Sequence, residues 1–383
     1  MQYLNKYRFA QFFVVCLFIG SLQTAVTADD EERAIDHAPI GVMGDHYHEK
    51  GEWMLSARYM RMAMSGNRNN TTDLSDQDII EMPNPYQMGD MSTKLSVVPQ
   101  DMAMNMTMLG LMYAPSDMLT LMGMGMFTHK TMDLNTYQGA MPMNIMGGMG
   151  NMNGMGTMGG MSNTSRELLG SFSTSTTDLT DVSLSGLVKL YEAGSSRLHA
   201  QLGIQQSVGS SDTTGEVLTP MNMRMTMTLP YGMQSGDGST SLLSALTYVA
   251  KTDGRVYGGQ IRGRNAIAKD SWAFGDTFLL TGWVQQELAV KTSLSFRATH
   301  YRQKMIDGRN AAITAPVQTA NPANYGGTIT ELSVGLNQLM SFFPGDHADR
   351  IGVEVSYPVH QQLSGPQMKS GITFQVGYQK SLF

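Results

Sequence analysis

Apolar and polar side chains alternate along this chain in runs of about ten or more residues, each bounded by turn residues. Twelve such segments can be marked: 52–65, 102–114, 118–131, 178–192, 196–209, 240–251, 255–268, 277–289, 291–304, 328–342, 350–361 and 369–383. A tilted strand needs about 9–11 residues to cross a bilayer, whereas strands of soluble proteins average about 5–6. The lengths therefore predict an all-β protein, an antiparallel up-and-down transmembrane barrel of about twelve strands.

The connections agree. Every second one is short, as at 114–117, 193–195, 252–254 and 289–290, whereas 66–101, 132–177, 210–239 and 305–327 are long. Short periplasmic turns opposite long outward loops are the habit of outer-membrane barrels.

The two faces of each run differ in chemistry. In 350–361, Ile351, Val353, Val355, Tyr357 and Val359 share one parity, with Glu354, Ser356 and His360 on the other. In 291–304, Leu294, Phe296 and Ala298 oppose Ser293, Ser295, Arg297 and Thr299. A Lys or Arg facing lipid at the midplane costs about 2–4 kcal/mol. The charged parity is therefore expected inside, placing Arg58, Asp181, Lys189, Arg262, Arg264, Glu287, Arg297, Glu331 and Glu354 in the lumen. A soluble barrel would carry the opposite arrangement.

Composition narrows the classes. The 383 residues carry 26 Lys and Arg against 32 Asp and Glu, a net charge of −6, which argues against a nucleic-acid partner. Lys6 and Arg8 precede an apolar run over 9–19, and Val26-Thr27-Ala28 offers a cleavage site. Residues 1–28 thus read as a secretory signal peptide that contains the one cysteine, Cys16. Removing it changes the charge to 24 − 32 = −8. Residues 29–51 are then expected as a periplasmic segment rich in His and Met, with two placements open to it: a solvated tail or a plug folded into the barrel. The barrel is expected over 52–383. No Gly-x-Ser-x-Gly elbow, Walker loop or His-Glu-x-x-His occurs, and no enzyme or required cofactor is expected.

Methionine is the outlying residue: 35 in all. Met60, Met62 and Met64 share the parity of Arg58. Met102, Met104, Met106, Met108 and Met112 alternate on the second run, and Met122, Met124 and Met126 share the parity of Lys130 on the third. If the charged parity faces inward, three neighbouring strands carry a wall of thioethers in the lumen; Arg61, of opposite parity to Arg58, speaks for the reverse. A second pattern is low in complexity: Met143, Met146, Met149, Met152, Met155, Met158 and Met161 recur every third residue among Gly and Asn, in a long outward loop. Thioether sulfur is a soft, neutral ligand that suits Cu(I), and Ag(I) by analogy. The competing readings are an adaptable greasy surface and a sink for oxidants. His37, Met43, His46 and His48, close together ahead of the first strand, are further candidate metal ligands.

The stretches Ala38–His46, Gly51–Met54, Arg58–Met62, Leu109–Asp117 and Leu229–Gln234 resemble a family of outer-membrane transporters related to the barrel proteins of the meta-pathway for phenol degradation. The resemblance implies a barrel and passage of a small solute. The expected function is an outer-membrane transporter or channel for such a solute, with copper ions as the leading cargo. A channel for hydrophobic or aromatic solutes and a non-transporting surface metal-binding barrel are the alternatives. The expected partners are outer-membrane lipid, the solute or metal ion, and barrel-assembly machinery recognising the last strand, which ends in Phe383.

Overall fold

The computed structural model describes residues 32–87, 92–140, 166–342 and 349–382. Eleven strand segments form one closed antiparallel ring: β1 (Trp53–Asn70), β2 (Val97–Ser116), β3 (Leu119–Tyr137), β4 (Leu168–Ala193), β5 (Ser196–Ser207), β6 (Thr240–Thr252), β7 (Arg255–Ala268), β8 (Thr277–Ala289), β9 (Thr292–Gln303), β10 (Gly326–Met340) and β11 (Asp349–Ser381). Each pairs with the next along the chain, and β11 closes on β1. The short strand Thr72–Leu74 lies outside the ring, paired with the end of β1. Closure leaves no unpaired edge, as hydrocarbon surroundings require.

β11 spans 33 residues and makes two passes. From Asp349 to Ser364 it runs antiparallel to β10, and from Leu363 to Ser381 antiparallel to β1. The turn falls at Gly365, whose φ of +81° favours glycine. Across the doubled segment the Ser370 amide donates to Gln361 Oε1 at 2.9 Å, and Arg350 bonds Gln379. The ring therefore has twelve passes of chain.

Alternation settles which face is which. Leu55, Leu109, Leu111, Phe127, Leu184, Phe296, Val355 and Phe374 are exposed on the outside, while Gln260, Thr281, Gln285, Ser295, Arg297 and Glu354 are buried inside. The apolar belt has a visible upper limit. Arg61 pairs with Asn105, Asn105 with His129, and His129 with Thr177, an outward polar row across four strands. Arg61 thus stands at the rim of the belt, and the inward parity of Arg58 holds.

Several strands outrun their sequence-based limits. β4 starts at Leu168 rather than 178, and β2 at Val97 rather than 102. Beyond the polar row both faces meet polar surroundings, so apolar alternation fades while ladder hydrogen bonds continue. At this long-loop end the loops fold over the mouth. Leu229, Tyr231, Met233, Trp272, Ile306, Ile313 and Val317 from the loops join Val97, Met102, Met132, Leu134 and Phe172 from β2 to β4 in one buried cluster. Tyr231 and Trp272 meet edge-to-face at 4.7 Å between ring centroids. The loop before β6 reaches down to the lumen, where Lys130 Nζ donates to the Gln234 carbonyl at 2.7 Å.

Candidate functional site: a plugged, methionine-walled lumen

Residues 32–51 enter the ring from the short-turn end. An extended segment has backbone carbonyls that β pairing does not satisfy, and burying them bare would be costly. Side chains from strands around the ring take up that task. Ser293 Oγ donates to the Ala34 carbonyl at 3.2 Å, Gln285 Nε2 to His37 at 2.8 Å, and Asn337 Nδ2 to His37 at 3.1 Å. Arg350 donates to Ala38, and Arg58 Nη1 to both Ile40 and Val42, at 2.8 and 2.9 Å. Gln260 Nε2 donates to Met43 at 2.9 Å, and His199 Nε2 to Gly44 at 2.8 Å.

Ion pairs tie the entry: Arg33 with Glu287, and Lys251 with Asp36. Ala38 and Val42 pack on Trp283. Residues 32–51 are therefore a plug held by donors from β1, β5, β7, β8, β9, β10 and β11. Ile40 anchors it, almost fully buried against Gly352 and Gly377: a Cβ on either glycine would lie 2.8 or 2.6 Å from Ile40 atoms.

The expected wall of thioethers faces this plug. Met54, Met60, Met62 and Met64 of β1 share an inward parity with Met102, Met104, Met106, Met108 and Met112 of β2, and with Met122, Met124, Met126 and Met132 of β3. They are in register. Met60 pairs with Met106, Met62 with Met104 and Met64 with Met102, and on the other side Met108 pairs with Met126 and Met112 with Met122. Between wall and plug lies a cavity of about 20 Å³, lined by Met43, Met54, Met108, Met112, Met122 and Met124 with Asp45 and Arg58. About one water-sized body fits such a space.

The other residues expected in the lumen have definite partners. Arg297 Nε donates to Glu354 Oε2 at 3.2 Å in a buried pair, and its Nη1 to Thr299 at 2.6 Å. Arg264 bonds Ser241 and the carbonyls of Phe274 and Gly275. The Arg262 side chain, on β7, makes no hydrogen bond or ion pair among the described residues, and Glu331 lies on β10 opposite Pro358. Lys189 pairs with Glu192 and lies 4.9 Å over the Tyr47 ring.

The four candidate ligands ahead of β1 part company. Met43 joins the thioether cavity. His48 Nδ1 lies 3.0 Å from Glu52 Oε2, and the His48 amide donates to Thr120. His37 and His46 come together with Asp45, one ligand atom of each within 4.8 Å of the others. Burial, together with the nearby Arg350 and the His46 ring, lowers the His37 pKa against the raising influence of Glu32. Burial works to raise the Asp45 carboxyl, but His46, Arg350 and Arg58 prevail and hold it well below the usual range. Met143, Met146, Met149, Met152, Met155, Met158 and Met161 lie outside the described residues.

Sequence reasoning passed over Gln260, Gln285, Asn337, Arg350 and His199 as functional groups. Their inward parity was available; their task depends on where the plug's carbonyls fall.

An outer membrane channel from Pseudomonas putida F1 is similar at 12% sequence identity and a TM-score of 0.50, over 90% of this chain and 100% of that one. The chain has the fold of an outer-membrane channel barrel. A FadL homologue from Pseudomonas aeruginosa aligns at 9% identity and a TM-score of 0.41, over 86% of this chain and 90% of that one. The P. putida toluene transporter TodX aligns at 12% identity and a TM-score of 0.40, over 88% and 91%. No family model and no curated protein matches the chain.

Proposed function

We propose that this protein is an outer-membrane channel for a small solute, and that its solute is a soft metal ion, Cu(I) or Ag(I). The observation that carries this reading is the registered methionine wall. Lipid-facing methionine would need only hydrophobicity, but these side chains face a polar lumen. There, the thioether offers what leucine does not: a soft lone pair available without deprotonation. Ligands repeated along three strands give successive weak sites, the arrangement that lets an ion both enter and leave. The cavity lined by six methionines is of ionic size.

A second reading has its own observation. Under the loops, an apolar cavity of about 40 Å³ is lined by Val97, Leu134, Phe172, Leu218, Leu229 and Val317. Its apolar lining fits the chemistry of a small hydrophobic or aromatic molecule, which would enter as the covering loops move apart, with methionine as pliable lining.

Met→Leu substitution separates the two, because it nearly conserves volume while removing sulfur. Met60, Met62, Met104 and Met106 are changed to Leu in a background lacking 141–161, and Ag(I) and toluene uptake are followed in proteoliposomes. Loss of Ag(I) uptake with toluene uptake kept supports the metal reading. Ag(I) uptake equal to that of the parent overturns it.

A further inference from the structure

The plug carries a second cluster of ligand atoms that the methionine wall does not need. We propose that His37, Asp45 and His46 form a site for a first-row divalent ion, copper(II) or zinc(II), which clips the plug's turn shut. The inference does not rest on the soft-ion reading, because it concerns other residues and a harder class of ion.

The local chain brings the three groups together. The Val42 amide donates to the Pro39 carbonyl at 2.9 Å, making a tight turn. The Ala38 amide donates to Asp45 Oδ2 at 3.1 Å, closing the loop across seven residues. That contact sets Asp45 beside His37, and His46 follows it in sequence. The rings of His37 and His46 meet edge-to-face at 5.4 Å.

Two features point to a ligand rather than to packing. His37 Nδ1 and His46 Nε2 are buried and have no hydrogen-bond partner, while His46 Nδ1 lies 3.1 Å from Asp45 Oδ2. An imidazole nitrogen left bare is costly, and a metal ion is one group that would take it up. Second, the donor set is two imidazoles and a carboxylate, the three-ligand set that leaves an ion one open position. A tetrahedral ion held at about 2.1 Å spaces its ligands by about 3.4 Å, so the 4.8 Å spread closes with small side-chain rotations. Glu32 Oε1 lies 3.4 Å from His37 Nε2, placed to orient that ring or complete the shell. Nitrogen and oxygen donors suit borderline ions, and copper(II) leads the divalent order. Asp45 also lines the thioether cavity, so the two sites adjoin.

The test uses tag-free protein in detergent, stripped with chelator and dialysed against copper(II) sulfate or zinc sulfate. We expect one retained ion per chain, and for copper(II) an electron paramagnetic resonance spectrum with nitrogen coupling from two imidazoles. His46→Gln should weaken binding by about tenfold or more. His129→Gln, on the outer face, should leave it unchanged, as should the four Met→Leu changes above. Heat-modifiable migration on gels verifies that each variant keeps its barrel. Equal binding by folded His46→Gln, or no ion retained by the parent protein, overturns the proposal. The unaffected Met→Leu variant keeps this outcome separate from that of the soft-ion experiment.

Discussion

Ile40 stands where a side chain at Gly377 would be: a Cβ there would lie 2.6 Å from Ile40 Cδ1. The barrel wall is hollowed at this point to take the plug. Gly377→Val should therefore push the plug outward, overpacking of this kind costing about 1–3 kcal/mol. Planar-bilayer recording should show conductance several-fold above that of the parent protein. An unaltered conductance would mean that the plug does not close the passage.

Arg58 Nη1 donates to two carbonyls of the plug, those of Ile40 and Val42. Arg58→Leu leaves both without that donor, at about 1–3 kcal/mol for each acceptor left unmade. Hydrogen exchange at amides 38–45 should speed up, while the strand amides of β6 and β7 stay protected. Uniform acceleration everywhere would instead mark a general loss of stability.

The Arg297–Glu354 pair is buried under Gly41 of the plug. Removing one partner strands the other's charge, so Glu354→Gln should destabilise the barrel by about 3–5 kcal/mol. Replacing both, as Arg297→Met with Glu354→Gln, should cost less than the two single changes added together. Urea unfolding midpoints for the four proteins of this cycle provide the comparison.

Oxidation should follow exposure. Met221, Met223 and Met225 are 53%, 54% and 48% exposed, whereas Met112 is 4% and Met122 5%. Brief peroxide treatment and peptide mass spectrometry should find sulfoxide on the first three well before the last two. Early modification of Met112 would contradict its inward, packed position.

Much of the ring was legible because lipid imposes a strict alternation. Leu294, Phe296 and Ala298 against Ser295, Arg297 and Thr299 can be arranged in only one way in a bilayer. The methionine wall followed from the same rule, once Arg58 and Lys130 set the parity. Arg61 looked like an exception because alternation carries no depth; only its pairing with Asn105 places it at the rim. The plug's docking was not legible. Gln260, Gln285 and Asn337 read as ordinary polar lining, since a side chain amide bears no mark of the carbonyl it will meet. The pairing of His37 with Asp45 and His46 likewise depends on a turn closed by one backbone hydrogen bond, and spacing alone had grouped His48 and Met43 with them.

The donors that grip residues 34–44 come from strands spread over almost the whole chain, with Ala38 and Arg350 separated by 312 positions. A stretch synthesised ahead of the ring can settle only after the ring is complete, since half-built sheet lacks the grips. Its arrival is thus a late event in biogenesis, and a seated N-terminal stretch reports that every stave has found its neighbour.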